Sequence, residues 1–239
     1  MASKHGPGPF LEYFFIPEAR IHRIACENLL SLGLMPDSPG PVRIERYCEK
    51  RWGFSEDYAH LPEGVLGKAT FNEDGLTVIE VSRDLGEDSS ELGKIRTRST
   101  LAHEIGHGEL HSGRYADKIR HERLQGDLFE APMAARKTIE TACRKEQIFQ
   151  YQKDEWWEIQ ANKFMAAVLM PKHLLRQVFD EWNAEYPPVD WPPIYALEEV
   201  IADTFKVSQA MAGIAARSLR ESAAKDSAQT QMAGAKTAR

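Results

Sequence analysis

Cysteine is scarce in this chain: Cys26, Cys48 and Cys143 are an odd, scattered set among 239 residues. No two of them stand at metal-ligand spacing, and a disulfide-stapled secreted scaffold is excluded. The expectation is reduced thiols in a cytoplasmic protein. No run approaches 18 apolar residues, so the sequence offers no membrane-spanning helix. The opening stretch MASKHGPGPFLEYFF lacks the charged, then apolar, then small pattern of a signal peptide. An excess of basic charge is also missing. Lys and Arg number 30 against 36 Asp and Glu, giving a net charge of −6. That argues against a nucleic-acid surface built from bulk charge. No internal repeat is present.

What remains is an ordinary globular composition, 42% hydrophobic and 28% charged, long enough for one full core or two small ones. Residues 1–9 are polar and rich in Gly and Pro, which predicts disorder. Pro17 to Leu32 reads as a helix with Ile21, Ile24, Ala25, Leu29 and Leu32 on one face. Val42 to Trp52 reads as a second, ended by Gly53. Gly64–Phe71 and Leu76–Ser82 read as two strands around Asn72-Glu73-Asp74-Gly75, a hairpin signal. A helix from about Ser90 to His111 follows. The stretch from Gly113 to Lys153 has no clear period, with a helix placed within Glu130–Tyr151. Asp154 to Met170 is helical and stops at Pro171. Further helices are expected from Lys172 to Trp182 and, as two, from Ile194 to about Glu221. The last residues, 222–239, predict a disordered tail.

The helix from Ser90 carries HEIGH: His103, Glu104, Ile105, Gly106, His107. Histidines four apart share one helix face, with a rise of about 6 Å between them. Two imidazoles so placed reach one metal ion, and the Glu beside the first stands next to it as a general base. That is the arrangement of a zinc hydrolase. A catalytic zinc holds three protein ligands and keeps one position for water. His111 continues the stripe but lies about 12 Å further along the axis than His103, too far to share the ion. It is assigned to packing or to orienting a ligand. The third ligand is sought in DEWWEIQANKFMAAVLMP, residues 154–171, where Glu155 and Glu158 roughly share a face. Asn162, one turn beyond Glu158, can orient a ligand from outside.

HEIGH preceded by RTRSTLA and followed by ELH, then W-W-E-x-Q-A-N-x-F-x-A-x-x-L-M-P, resembles the ImmA/IrrE family of zinc-dependent metallopeptidase-like proteins. The resemblance covers roughly residues 40 to 172. It implies an α+β fold: a zincin-like core with a small hairpin-containing sheet and helical extensions at both ends. It implies His103, His107 and Glu158 as Zn²⁺ ligands and Glu104 as catalytic base. Many members carry E-x-E-A-N where this chain has Gln160, which favours Glu158 as the ligand. The implied division is a metallopeptidase domain over 10–185 and a helical extension over 186–221, between the two disordered ends.

The implied activity is hydrolysis of a peptide bond in a regulatory protein, with a helix-turn-helix repressor or an antitoxin or toxin as partner. The strand Leu76–Ser82 offers an edge to an extended substrate. Tyr115, His121, Tyr151, His173 and Tyr195 are open as oxyanion stabilisers. The alternative is a non-proteolytic regulator that binds DNA or a repressor on the same scaffold. Leu197–Leu219 has a helix-turn-helix pattern, but Lys206 stands where a turn Gly is usual. Arg217 and Arg220 are too few for strong phosphate anchoring, which makes DNA the weaker partner.

Overall fold

The computed structural model describes residues 8–129, 138–144, 155–186 and 193–237, with side chains in the two longest helices described as far as 124 and 223. It divides into two compact units: residues 1–35 with 42–171, and residues 36–41 with 172–239.

The first unit is α+β. Helix α1 (Glu18–Ser31) buries Ile21, Ala25 and Leu29 at four-residue intervals. A 3₁₀ turn, Ile44–Arg46, leads into α2 (Tyr47–Trp52), which stops where Gly53 takes a left-handed conformation. Strands β1 (Asp57–Ala59), β2 (Val65–Asn72) and β3 (Gly75–Ser82) follow. In β2 buried and partly exposed residues alternate along the whole strand, the period of a sheet with one face in the core. After the short helix α3 (Arg83–Glu87) comes α4, Glu91–Phe129. The Ser90 hydroxyl accepts the Gly93 N–H and caps it.

Helix α4 runs past the expected stop at His111. Gly113 reads as a break, but Tyr115, Ala116 and Ile119 bury the next turns. Arg120 donates to the Glu73 carbonyl and Arg123 to its carboxylate, fixing the hairpin tip to the helix. Of the helix expected within Glu130–Tyr151, all but residues 138–144 lies outside the described residues. Within those residues β4 (Ile139–Glu140) and β5 (Cys143–Arg144) pair antiparallel with β2, which gives their backbone ladder partners. Helix α5 (Trp156–Leu169) ends before Pro171.

The strand order is β1-β3-β2-β4, with β5 further along the outer edge of β2. β1 pairs parallel with Glu80, Val81 and Ser82 of β3. This corrects the expectation that β3 is an open edge: its second half is flanked on both sides. Helix α4 packs on β2 and β3 with one side and on α5 with another, and α1 packs on α5. From Ser99 to His111 every residue but Glu109 is buried, so this stretch has no solvent face. Polar groups on such a helix must find partners inside the protein.

Two glycines admit that crowding. A Cβ on Gly106 would stand 3.0 Å from the Ala161 carbonyl of α5, and one on Gly108 would stand 2.8 Å from Leu76. Helix α4 is thus approached closely by α5 on one side and by the hairpin on the other.

The second unit holds α6 (Lys172–Glu185), α7 (Ile194–Phe205) and α8 (Gln209–Thr237). Its core includes Leu174, Phe179, Trp182, Leu197, Ile201, Phe205, Met211 and Ala212. Lys206 closes α7 with φ of 52°, the left-handed position that the sequence reading reserved for a turn Gly. α8 continues to Thr237, across the stretch where a disordered tail is expected; its Ala content favours helix. Among the described residues no helix is long and apolar enough to cross a membrane.

Candidate metal centre

The centre forms where α4 crosses α5. His103 and His107 stand one turn apart on α4, and Glu158 comes from the first turn of α5. His103 Nε2 lies 3.1 Å and His107 Nε2 3.4 Å from Glu158 Oε2, and the two Nε2 atoms are 3.2 Å apart. Four ligands around zinc at about 2.0–2.1 Å stand about 3.3–3.4 Å from one another. The three donors therefore match three corners of such a tetrahedron. Glu155 takes no part and sits at the N-cap of α5.

Hydrogen bonds behind the imidazoles decide where their protons are. The Gln160 amide donates to the Phe14 carbonyl at 3.0 Å, which turns its oxygen toward His111. His111 Nε2–H donates to that oxygen at 3.2 Å. Burial, with His107 beside it, pushes His111 down to about 3, so it is neutral and its Nδ1 can only accept. His107 Nδ1–H is the donor to it, at 3.1 Å. On the other histidine, Nδ1–H donates to Asn162 Oδ1 at 2.9 Å. Both Nε2 atoms are left as lone pairs facing each other and the Glu158 carboxylate. Asn162 and His111 each face one imidazole from behind, and Gln160 bonds to His111 in turn.

Three lone pairs converging without a proton between them call for a cation. Burial opposes charge on His103, yet the Glu158 carboxylate beside it outweighs that and holds its pKa above the usual value. Burial likewise opposes charge on Glu158, and the two imidazoles hold its carboxyl well below the usual range. Both directions express one demand for positive charge at the junction. A proton meets it, and so does a metal ion. His103, His107 and Glu158 could hold that ion.

Glu104 lies beside them on α4. Burial pushes its carboxyl up, opposed by His103, His107 and the Thr141 hydroxyl. Thr141 donates to Glu104 Oε2 at 3.0 Å, while Oε1 is buried without a hydrogen-bond partner. Strand β2 passes directly over this carboxylate: a Cβ on Gly67 would stand 3.2 Å from Glu104 Cγ.

More than half of the chain matches a known family. A family model described as Peptidase_M78, IrrE N-terminal-like domain, covers residues 88–216. The chain belongs to the ImmA/IrrE family. Its fold is α+β of the zincin-like type, and the family is one of metallopeptidases. No curated protein matches the chain.

Two neighbours of the centre escaped the sequence reading. Thr141 and Cys143 reach Glu104 from a segment 37 residues after it. No local spacing links them to HEIGH, although buried Thr141 and Cys143 alternate with exposed Glu140 and Arg144, as in a strand. Of the five residues open as oxyanion stabilisers, Tyr151 lies outside the described residues. His173 and Tyr195 belong to the second unit, and His121 is exposed. Tyr115 is buried against Phe10 and Phe71, and burial, Glu158 and Glu104 all raise its pKa. In the helix-turn-helix stretch Arg217 pairs with Glu198 and Arg220 lies over the Trp182 ring.

Proposed function

We propose that this protein is a zinc-dependent peptidase that cleaves a peptide bond in a repressor-type regulatory protein. The reading is carried by the convergence of His103 Nε2, His107 Nε2 and Glu158 Oε2, with the protons of both imidazoles committed elsewhere. Those three residues would hold the ion. Bound there, Zn²⁺ supplies Lewis acidity to the scissile carbonyl and acidity to a water.

The chain's own residues do the rest. Asn162 and His111 hold the two imidazoles in the ligating tautomer. Glu104, without a competing cation of its own, takes the proton of the attacking water and returns it to the leaving amine. Its buried setting, which raises its pKa, suits a group that must both accept and donate near neutral pH. The repressor-type substrate follows from the family resemblance, and its identity would come from the neighbouring reading frame.

The test compares wild type with Glu104→Gln. The variant is expected to keep one zinc per chain and to lose cleavage of a candidate repressor by about 10²–10⁴-fold. Cleavage at the wild-type rate, or cleavage that persists with chelator, would reject the mechanism. Salt-dependent binding of duplex DNA without any cleavage would instead favour the scaffold alternative.

A further inference from the structure

Residues 8–16, ahead of α1, form neither helix nor strand, yet they are seated on both helices that build the centre. Phe10 is 5% exposed. Its ring stands 5.6 Å from His111 and 4.7 Å from Tyr115 on α4, and 5.2 Å from Trp156 on α5, centroid to centroid. Tyr13 meets Trp156 edge-on at 5.2 Å, and Arg114 of α4 lies 4.3 Å over the Phe14 ring. Gly8 opens the segment with φ of 64°, and a Cβ there would collide with the Trp157 ring. A segment with no ladder of its own is held by its side chains, and rings bury the most surface for the fewest torsions.

The backbone of this segment decides a proton position three groups away. Gln160 can present either its oxygen or its NH₂ to His111, and the amide alone has no preference. The Phe14 carbonyl accepts the NH₂ at 3.0 Å, which leaves the oxygen for His111 Nε2–H at 3.2 Å. His111 Nδ1 is then a lone pair, the His107 proton sits on Nδ1, and His107 Nε2 is free to ligate. With the amide turned over, every step inverts. His111 Nε2 would accept, its Nδ1–H would donate to His107 Nδ1, and the His107 proton would move to Nε2, where the ion belongs. Phe10 supports the same setting from the side. It covers His111, which is 0% exposed, and so keeps water from replacing either partner.

We propose that residues 8–16 are a positioning strap for the metal centre: the Phe14 carbonyl fixes the Gln160 amide, and through it the His111 and His107 tautomers, while Phe10 keeps that relay dry. The proposal rests on the metal-centre reading above. Phe10 and Phe14 are positioning residues that act through Gln160 and His111 and do not touch the ion. The coupling is reciprocal. Whatever factor the seated strap adds to metal affinity, the bound metal adds to the seating of the strap.

Zinc affinity of the full chain, read by competition with a chelating dye, tests this without any peptidase assay. Phe10→Ala, which uncovers His111, and Gly8→Val, which unseats the strap at Trp157, are each expected to weaken zinc by about 10–100-fold. Phe10→Leu keeps the apolar cover and is expected to stay near wild type. Phe10→Ala combined with Gln160→Ala should lose little beyond Gln160→Ala alone, because both act on one relay. Chymotrypsin cleavage after Phe10, Tyr13 or Phe14 reads the reverse direction in the wild-type chain, which needs no variant to fold. Saturating zinc is expected to slow that cleavage by the same factor, and to slow it far less in Gln160→Ala. Unchanged zinc affinity in both Phe10→Ala and Gly8→Val, losses that multiply in the double variant, or strap cleavage indifferent to zinc each overturn the strap and leave the metal centre standing. A wild-type chain that binds no zinc overturns both.

Discussion

His107 and His111 meet nitrogen to nitrogen, Nδ1 to Nδ1, at 3.1 Å. The spacing that bars His111 from sharing an ion with His103 places it one turn behind His107, where it controls the proton of a ligand instead. Gln160 holds His111 in turn, and the Phe14 carbonyl holds Gln160. Removing a partner behind a metal-bound imidazole costs about 10–100-fold in metal affinity. His111→Ala and Gln160→Ala should both weaken zinc binding within that range, with one site per chain retained. Competition against a chelating dye measures it; unchanged affinity in both variants would remove the relay from the account.

Much of this centre was legible in the sequence. HEIGH supplied His103, Glu104 and His107, and the 3.6-residue period of the second helix put Glu158 and Asn162 on one face. The hairpin was marked by Asp74-Gly75, and α1 by its buried stripe. What was not legible depended on distant pairing. Cys143 and Thr141 reach Glu104 only because 138–144 adds to β2, and neither residue carries a local signal for that. The three-residue strand β1 is too short to show a period, so β3 was read as an edge. Gly113 suggested a helix end because its exposed position tolerates the cost of about 1 kcal/mol that a mid-helix Gly carries.

At Gly67 strand β2 comes close to α4. A Cβ there would stand 2.5 Å from Thr100 Cγ2 and 3.2 Å from Glu104 Cγ. Neither neighbour can retreat, since Thr100 and Glu104 are both fully buried. Gly67→Ala should destabilise the protein by about 1–3 kcal/mol through overpacking. At about 2–4 °C per kcal/mol for a chain of this size, the loss is visible in thermal unfolding. Peptidase activity should fall with it, because the displaced atoms belong to the proposed base. A variant with wild-type Tm would mean that β2 stands further off.

Acid should destabilise the metal-free protein through His111. Its folded pKa is about 3 against an ordinary 6.5, because burial and His107 disfavour its charge. Between those values the unfolded chain binds a proton that the native chain does not, so stability falls as pH falls from about 6.5 toward 3. Two neighbours act over other windows. His103, raised by Glu158, contributes stability that is complete below about 6.5 and lost as pH rises through its folded value. Glu158, lowered by the imidazoles, contributes stability above its ordinary 4.5 that is lost as pH falls through its folded value. His111→Gln deletes only the first effect. With chelator present, its Tm should drop less than that of wild type between pH 6.5 and pH 4.5. Parallel curves would contradict a neutral, buried His111.

Thr141 should tune the proposed base. Its hydroxyl donates to Glu104 Oε2 at 3.0 Å and so favours the carboxylate form, against the burial that raises this group. Thr141→Val removes the donor and leaves the carboxylate less stable, which moves the Glu104 pKa upward. The acidic limb of kcat/KM, which reports the free enzyme, should shift to higher pH. Thr141→Ser keeps the hydroxyl and should restore the wild-type limb. If the serine variant behaves like the valine variant, the effect comes from the strand pairing of Thr141 with Ala69 and not from its bond to Glu104. If the limb does not move in Thr141→Val, Glu104 is not the group whose ionisation limits the rate.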